Sequence, residues 1–359
     1  MTDRLRAGRA PSMADVAARA GVSPQTVSRV LRGHRYVADG TRQQVLNAAD
    51  SLGYRMHAAA RALSSGRSRL LGLVLVATDS YASAATHTLV EHAARERGYG
   101  VTVTQTPGLS LADVLAAIDR LEEHGAEALV LALPLRRSDP RLEAVAGRLP
   151  TAVLGGCPIR TAHRFAVDQE LVARLVTEHL LDLGHRTVHH VAGPTEWSDA
   201  AAREQGWCDT LARHRRVVPE ALRGDWSARS GHRLGLDLFE DPDVTAVFAA
   251  NDDTALGLVR ALHDRGRDVP GDVSIASVDD MPLAAYSTPR LTTVSQPFPA
   301  LTAAAVGSLI ALLEGDDPTD PDPVLTPALV VRGSTAPPRP TVVRTSLPPE
   351  ESTFDDTGL

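Results

Sequence analysis

The 359-residue sequence contains no lysine, so all 37 of its basic residues are arginine. This absence excludes a P-loop lysine, a kinase-type lysine and a Schiff-base lysine. The two cysteines, Cys157 and Cys208, are too few and too far apart for a disulfide framework or a cysteine-based zinc site. No apolar run approaches the roughly 20 residues that a membrane span needs, and no apolar stretch follows Met1 as in a secretory signal. We expect a protein of the cytoplasm with no membrane, metal or cofactor site.

The charge of the chain is unevenly distributed. The net charge of −7 is the sum of +8 over residues 1–70 and −15 over the rest. A small basic segment attached to a large acidic one predicts that the basic segment contacts a polyanion. The length predicts two or three domains at about 100–200 residues each.

The basic segment has the pattern of a helix-turn-helix. Residues 13–20 place small apolar side chains at helical spacing, and Gly21 suits the turn that follows. Ser23 is expected to cap a second helix that starts at Pro24 and carries its apolar stripe on one face. A third helix is expected within residues 37–53, capped by Asp39. Three short helices of this kind predict an all-α DNA-binding head.

The segment from Asp15 to Leu31 resembles the DNA-binding head of the LacI family of bacterial transcription regulators. The similarity continues through Thr41-Arg42, Leu52-Gly53-Tyr54 and the segment 60–63, and it extends over the chain to about Thr335. The resemblance implies a homodimer that binds a pseudo-palindromic DNA operator and responds to a small-molecule sugar effector. The expected function is therefore a transcriptional regulator, most simply a repressor of sugar-utilisation genes.

The resemblance also implies which head residues contact DNA. Glutamine bonds well to adenine and arginine to guanine in the major groove, whereas hydroxyl groups on phosphates fix register and not sequence. The base-reading positions are Pro24, Gln25 and Arg29. The phosphate-contacting positions are Ser23, Thr26, Ser28, Thr41 and Tyr54.

Residues 56–69 match the family's hinge helix and linker. The resemblance implies that Leu63 acts as an apolar wedge in the minor groove and that Ala60 lets the two hinge helices of a dimer approach closely. The family commonly has proline and asparagine where this chain has Met56-His57. We expect this departure to make hinge folding less favourable.

From residue 70 onward, short apolar segments alternate with amphipathic helical ones, which indicates parallel sheets. The expected fold is an all-α helix-turn-helix head plus an α/β body of two Rossmann-like subdomains of periplasmic-binding-protein type. The expected domains are a head (1–55), a hinge (56–69), a body (70–335) and a disordered tail (336–359). Within the body, the first subdomain takes about 70–165 and 296–320, and the second about 166–295 and 321–335. Strands are expected at 70–76, 100–105, 127–133, 151–154, 187–192, 245–249 and 274–278, and helices at 84–97, 111–124, 169–183, 199–214, 228–240, 252–266 and 300–314.

Several polar and aromatic residues follow the strands of the body, where open α/β sheets bind ligands. The resemblance implies that Arg203, Trp226, Asn251 and Asp279 bind the effector, with Asp199, Gln296 and Phe298 at weaker-matched positions. Guanidinium, amide and carboxylate groups suit sugar hydroxyls, and an indole suits the apolar face of a sugar ring. Helix capping by Asn251 or Asp279 and core packing by Trp226 remain alternatives. The segment 224–231 hints at a galactoside or a related glycoside.

Other functions remain possible at this stage. A transport-type sugar-binding protein would have the same body but a signal peptide and no basic head. A regulator whose ligand strengthens DNA binding would have the same sequence features. A sugar-processing enzyme is a third alternative: the sequence has no Gly-x-Ser-x-Gly motif, and a glycosidase with paired carboxylates stays open without a feature that supports it. A metal site at His185, His189 and His190 is disfavoured because His189 and His190 are neighbours on a strand and point to opposite faces.

Overall fold

The computed structural model describes residues 11–31, 36–54, 66–317 and 324–339 of the chain. The chain divides into two compact units, Met1–Arg69 and Leu70–Leu359. The first unit is helical, and the second contains two β-sheets with helices on both faces. This is the expected fold class.

The first unit contains the three expected helices: α1 (Met13–Ala20), α2 (Pro24–Leu31) and α3 (Asp39–Leu52). Ser12 and Asp15 form a capping box at the start of α1, and Gly21 ends it with φ 63°. The Ser23 hydroxyl accepts a hydrogen bond from the Thr26 backbone N–H at 3.2 Å, which confirms Ser23 as the cap of α2. The small core between the helices is built from buried valines and alanines: Val16, Ala17, Val27, Val30, Val45, Ala48 and Ala49.

The third helix begins differently from the expectation. Ala38 is its N-cap residue and makes no side-chain capping bond, while Asp39 lies inside the first turn. The prediction that Asp39 caps this helix is therefore wrong. From its actual position, the Asp39 carboxylate stabilises the helix through the positive end of the helix dipole. The hinge residues Met56, His57, Ala60 and Leu63 lie outside the described residues.

The body contains two six-stranded sheets. The first sheet has strand order β11-β5-β4-β3-β1-β2 and is parallel in all its pairs, and the second has order β12-β10-β9-β8-β6-β7 with only β12 antiparallel. The strands are β1 (Leu70–Val76), β2 (Gly100–Thr106), β3 (Ala128–Ala132), β4 (Thr151–Leu154), β5 (His163–Val167), β6 (His189–Ala192), β7 (Leu222–Arg223), β8 (Ala246–Ala249), β9 (Ser274–Asp279), β10 (Thr292–Ser295), β11 (Val324–Leu325) and β12 (Ala328–Val330).

Helices cover both faces of each sheet. Their bounds are α4 (Tyr81–Glu96), α5 (Leu111–Glu123), α6 (Pro140–Ala146), α7 (Gln169–Asp182), α8 (Ser198–Arg213), α9 (Ala228–Leu238), α10 (Asp252–Asp264) and α11 (Phe298–Glu314), with a 3₁₀ turn at Pro282–Ala285. The first sheet packs against α4 and α11 on one face and against α5 and α6 on the other. The second sheet packs against α9 and α10 on one face and against α7 and α8 on the other. Among the described helices, none has the length and apolar character required to cross a bilayer.

The chain crosses between the two sheets three times. It leaves the first sheet after β5, returns to it after β10, and leaves it again after β11. Because β5 ends at Val167 and β11 at Leu325, the first sheet extends beyond the expected boundaries near residues 165 and 320. Both strands lie at or near the sheet edge and are short or polar, so their apolar signal in the sequence is weak.

The expected tail begins later than residue 336. The Ala336 carbonyl accepts hydrogen bonds from the Ser274 hydroxyl at 2.9 Å and from the His185 Nε2 at 3.1 Å. Arg339 pairs with Asp272 on the surface. Residues 336–339 are therefore packed against the second subdomain, and the expectation of disorder is wrong for them. Residues 340–359 lie outside the described part of the chain.

Among the described residues, His185, His189 and His190 included, no group of three or more His, Cys, Asp or Glu side chains is placed to hold a metal ion. His190 is buried among aromatic rings, with its ring centroid 4.3 Å from that of Phe248. Its Nδ1 donates to the Phe248 carbonyl at 2.9 Å, while Nε2 has no hydrogen-bond partner in the part of the chain that the structure describes. Burial lowers the pKa of His190 from 6.5 to about 4. The histidine is therefore neutral in the folded protein at neutral pH.

Substitution of this histidine by phenylalanine should make the protein less sensitive to acid. A pKa lowered by folding means that the unfolded chain takes up the proton first, so stability is lost as pH falls below 6.5. Between pH 7 and pH 5, the wild type should lose about 2 kcal/mol more unfolding free energy than His190→Phe. Urea unfolding at both pH values measures this difference. His214→Phe, at an exposed histidine, should keep the wild-type dependence, and an unchanged dependence in His190→Phe would contradict the assignment.

Candidate functional site

The exposed face of α2 carries the expected base-reading residues. Pro24, Gln25 and Arg29 are all exposed, and Gln25 and Arg29 are four positions apart on the same helix face. Val27 and Val30 are buried in the head core and hold the helix by its opposite face. Two long polar side chains are thus presented to solvent from a helix whose orientation within the head is fixed. This arrangement suits insertion into a DNA major groove.

The expected phosphate-contacting residues lie around the same helices. The Ser23 and Thr26 hydroxyls are 3.0 Å apart and hydrogen bonded, and Ser28 is half-buried on α2. Thr41 is half-buried in the first turns of α3, and Tyr54 follows α3 and packs against the head core. These side chains are held in place by the three helices, as groups that set the register of a head on DNA must be.

A cleft in the body lies where the strands of both sheets end. Two adjoining cavities of about 120 and 60 Å³ share the lining residues Ser80, Ala82, Trp197, Asp199 and Arg203. The larger cavity also includes Gln296 and Phe298, and the smaller includes Trp226, Asn251 and Asp279. The structure therefore brings all seven expected effector residues to one cleft.

Trp226 forms the aromatic wall of this cleft. Its side chain is only 7% exposed, its ring centroid is 5.4 Å from that of Trp197, and the Arg203 guanidinium lies 5.5 Å from it. The indole Nε1 is buried without a hydrogen-bond partner among the described residues. Such an N–H is costly to leave unpaired and supplies a donor to the site.

Asn251 holds Trp226 in place and also caps a helix. Its Oδ1 accepts from the Thr254 backbone N–H at 3.0 Å at the start of α10, and its Nδ2 donates to the Trp226 carbonyl at 3.0 Å. The backbone of Trp226 has φ 73°, a conformation that needs such support. The helix-capping alternative for Asn251 is therefore correct, and the same amide lines the cleft.

Gly193 follows β6 and leaves room for the Trp226 ring. A Cβ atom at this position would lie 2.3 Å from Trp226 Cζ2. Gly193→Ala should therefore displace the indole, with a stability loss of about 1–3 kcal/mol from overpacking and at least a tenfold weaker sugar affinity. Calorimetric titration and thermal unfolding measure the two effects. Gly108→Ala, which meets no atom within 4 Å, is the matched control, and wild-type sugar affinity in Gly193→Ala would contradict this role.

Asp279 ends β9 and points a carboxylate into the cleft. Its backbone has φ 116°, and its Oδ1 accepts from Gln296 Nε2 at 2.7 Å. Burial raises the pKa of Asp279 to about 7, although the nearby Arg203 charge acts in the opposite direction. Its Oδ2 has no partner among the described residues. The carboxylate is therefore a free acceptor when ionised, and it takes up a proton near neutral pH.

Asp252 supports the turn that carries Asp279. This carboxylate is fully buried and accepts from the Thr293 hydroxyl at 2.7 Å and from the Met281 backbone N–H at 2.8 Å, with Ser277 as a further donor. Burial raises its pKa to about 6. These bonds connect β9 to β10 and support the turn at Asp279, while Asp252 itself does not line the two cavities.

Trp197 and Gln169 line the cleft but were not predicted from the sequence. Trp197 belongs to a segment that bridges the subdomains: it pairs with Leu135, and the Ser198 N–H donates to the Pro134 carbonyl at 2.8 Å. Gln169 starts α7 directly after the first crossing. Both positions follow the carboxyl end of a strand, which is the signal that could have found them. For Gln169 the preceding strand, β5, was itself missed.

Known protein families match both the head and the body of the chain. The family model for bacterial regulatory proteins of the lacI family matches residues 12–56, and that for a periplasmic binding protein-like domain matches residues 177–335. The chain is 36% identical over 338 residues to an uncharacterized HTH-type transcriptional regulator in the aml 5′ region of Streptomyces limosus, covering 91% of this chain and 95% of the relative.

Two solved structures are similar over most of the chain. The first is the Lac repressor dimer bound to operator and the anti-inducer ONPF, with a TM-score of 0.83, 29% identity, and coverage of 91% of this chain and 100% of that one. The second is the transcriptional regulator CelR in complex with cellobiose, with a TM-score of 0.66, 29% identity, and coverage of 90% and 99%.

Proposed function

This chain belongs to the LacI family of bacterial regulatory proteins, and from that premise we propose that it is a repressor released from a palindromic operator by a saccharide bound in the body cleft. Members of the family are sugar-responsive DNA-binding transcriptional regulators that act as dimers. The chain is therefore a DNA-binding transcriptional regulator. We further propose which residues contact DNA and sugar, which sugar is the effector, and that the sugar weakens DNA binding.

The head is proposed to read DNA through Gln25 and Arg29. Both are exposed on α2, and Arg29 bonds bidentately to guanine while Gln25 suits adenine. Pro24 supplies only apolar contact. The +8 charge of residues 1–70 attracts the operator, while the −15 of the remainder repels DNA, so contact is confined to the head and hinge. Because its target is the chromosome, the protein is proposed to work in the bacterial cytoplasm.

The observation that carries the sugar assignment is the composition of the cleft. It combines an indole wall, a guanidinium, a carboxylate with one oxygen unpaired, and an amide, within two adjoining cavities. Planar donors and acceptors suit adjacent hydroxyl pairs, and the indole suits the C–H face of a sugar ring. The similar proteins are transcriptional regulators, so we propose binding without turnover.

Cellobiose and galactosides are the first effector candidates. Cellobiose is bound by the similar CelR, and the sequence of residues 224–231 favours a galactoside. A thermal-shift panel of mono- and disaccharides, followed by operator release measured by fluorescence anisotropy, tests the proposal. The operator is a duplex selected from random DNA by the wild-type protein. A sugar that stabilises the protein and weakens operator binding supports the proposal, and one that strengthens operator binding would make the ligand a co-repressor.

A further inference from the structure

Two glutamines in the body lie on two different crossings between the subdomains. Gln169 is the first residue of α7, immediately after β5 of the first sheet, and α7 packs on the second sheet. Gln296 follows β10 of the second sheet and precedes α11, which packs on the first sheet. Any change in the angle between the subdomains must therefore pass through the backbone at both residues.

The two glutamine side chains are joined to each other and to the cleft. Gln169 Nε2 donates to Gln296 Oε1 at 2.8 Å across the two crossings. At one end, Arg203 Nε donates to Gln169 Oε1 at 2.8 Å. At the other end, Gln296 Nε2 donates to Asp279 Oδ1 at 2.7 Å. We call this chain of three hydrogen bonds the crossover relay.

The direction of every bond in the crossover relay is set by its ends. The Arg203 guanidinium only donates, so this end of the relay alone gives each glutamine amide one allowed orientation, with the Asp279 carboxylate as the final acceptor when it is ionised. Arg203 and Asp279 are each 4% exposed and Gln296 is 6% exposed, so water does not replace a lost partner at little cost. The relay therefore has one fully bonded arrangement, and a shift of either crossing breaks it as a unit.

Both end groups keep a free atom for a ligand. Arg203 uses Nε for Gln169 and Nη1 for the Ala250 carbonyl, which leaves Nη2 without a partner among the described residues. Asp279 uses Oδ1 for Gln296 and leaves Oδ2. A ligand with two hydroxyl groups can therefore bind both ends of the relay from the cleft side.

We propose that Gln169 is a positioning residue that transmits effector binding to both subdomain crossings through the crossover relay. This inference rests on the proposed function, because it assigns the coupling element of the same cleft. A sugar that binds Arg203 and Asp279 moves these two side chains, which are the ends of the relay. Because Gln169 is hydrogen bonded to Gln296, the two crossings then move together. Without Gln169 the hydrogen-bonded connection between the two crossings is lost, so that a sugar which saturates the cleft no longer changes the subdomain angle.

A double-mutant cycle tests whether the relay exists, and it needs no ligand. Gln169 and Asp279 share no hydrogen bond; the hydrogen bonds of the relay join them through Gln296, and the Arg203 charge also acts on Asp279. In urea unfolding of the full chain, the equilibrium constant of Gln169→Leu with Asp279→Asn should differ at least threefold from the product of the single effects. The control pair is Gln205→Leu with Asp279→Asn. Gln205 is an exposed glutamine bonded to Asp209, so the effects of these two substitutions on the unfolding equilibrium constant should simply multiply. A multiplicative result for the first pair would contradict the relay.

The second measurement tests the coupling. Operator affinity is measured by anisotropy with and without cellobiose, maltose or lactose, at a sugar concentration that calorimetry shows to saturate each variant, and the ratio of the two affinities is the coupling factor. Allosteric coupling typically reaches about 5–150-fold. Gln169→Leu, and Gln169→Glu, which accepts from Arg203 but cannot donate to Gln296, should reduce the factor to below about threefold. Gln205→Leu should keep the wild-type factor.

The outcomes separate this inference from the proposed function. A wild-type coupling factor in both Gln169 variants would overturn the inference while leaving sugar regulation intact. If the wild type binds none of the three sugars and others in the panel also fail, the proposed function is overturned, and the double-mutant cycle still decides whether the relay joins Gln169 to Asp279.

Discussion

Arg29→Ala is expected to lower operator affinity by about 1–3 kcal/mol, or about 5- to 150-fold, because a bidentate arginine–guanine contact has that value. Arg29 is exposed on α2, and the buried Val27 and Val30 hold the helix from its other side. The substitution should therefore leave the fold of the head intact. Fluorescence anisotropy on the selected operator at constant salt measures the loss.

A control must separate base reading from the general effect of removing one positive charge. Arg141→Ala removes an arginine of the body that is 73% exposed, and it should leave operator affinity unchanged. Operator affinity of the wild type should also fall steeply as salt rises, because phosphate contacts release counterions. A flat salt response, or equal affinity in Arg29→Ala and the wild type, would contradict the assignment of α2 to DNA.

Trp226→Ala is expected to abolish sugar-induced operator release while operator binding without sugar persists. The indole is the aromatic wall of the cleft and packs against Trp197 and Arg203. Its loss removes the surface against which the sugar ring packs, so sugar binding should be weakened. Because removal of a buried tryptophan costs about 3–5 kcal/mol of stability, thermal unfolding must show that the variant is folded.

Asp279→Asn provides the same test with little change in shape. A hydrogen bond to a charged group contributes about 1.5–3 kcal/mol, so sugar affinity should fall about 10- to 150-fold. Asp182→Asn, at an exposed carboxylate of α7, should leave it unchanged. If both Trp226→Ala and Asp279→Asn are released from the operator by sugar as the wild type is, the cleft assignment is wrong.

The pKa of Asp279 adds a pH signature to this prediction. The pKa lies at about 7 in the ligand-free protein, and the sugar uses the carboxylate as an acceptor. The sugar affinity of the wild type should therefore fall by up to about tenfold per pH unit below 7, because binding must first remove a proton. Asp279→Asn should show no such dependence. Isothermal titration from pH 5.5 to 8 measures both profiles.

The sequence predicted the helical head and most of the body because these parts have strong local signals. Ser23, Pro24 and the valine stripe of α2 are a cap, a helix start and a core face within a few residues. The central strands are buried and continuous in apolar character, as β1 shows. The family resemblance supplied the roles of Arg29, Arg203 and Asp279, which composition alone does not give.

The features that could not be predicted from the sequence depend on contacts between segments that are distant in the chain. The strand β5 has only five residues, the first two of which are His163 and Arg164, and β11 has only two residues, so the subdomain boundaries were placed a few residues early. The interaction of Gln169 with Gln296 joins residues 127 positions apart. Asp39 was expected to cap α3 because aspartate favours that position, yet the backbone starts the helix one residue earlier.

The central claim is that a sugar in the body cleft controls DNA binding by the head. The most direct test is an anisotropy titration of the full-length protein on its selected operator at increasing concentrations of a sugar that stabilises the protein. The account predicts that operator affinity falls at least fivefold at saturating sugar in the wild type and stays constant in Asp279→Asn. Operator affinity that is unchanged in the wild type at a sugar concentration shown by calorimetry to saturate the cleft would contradict it.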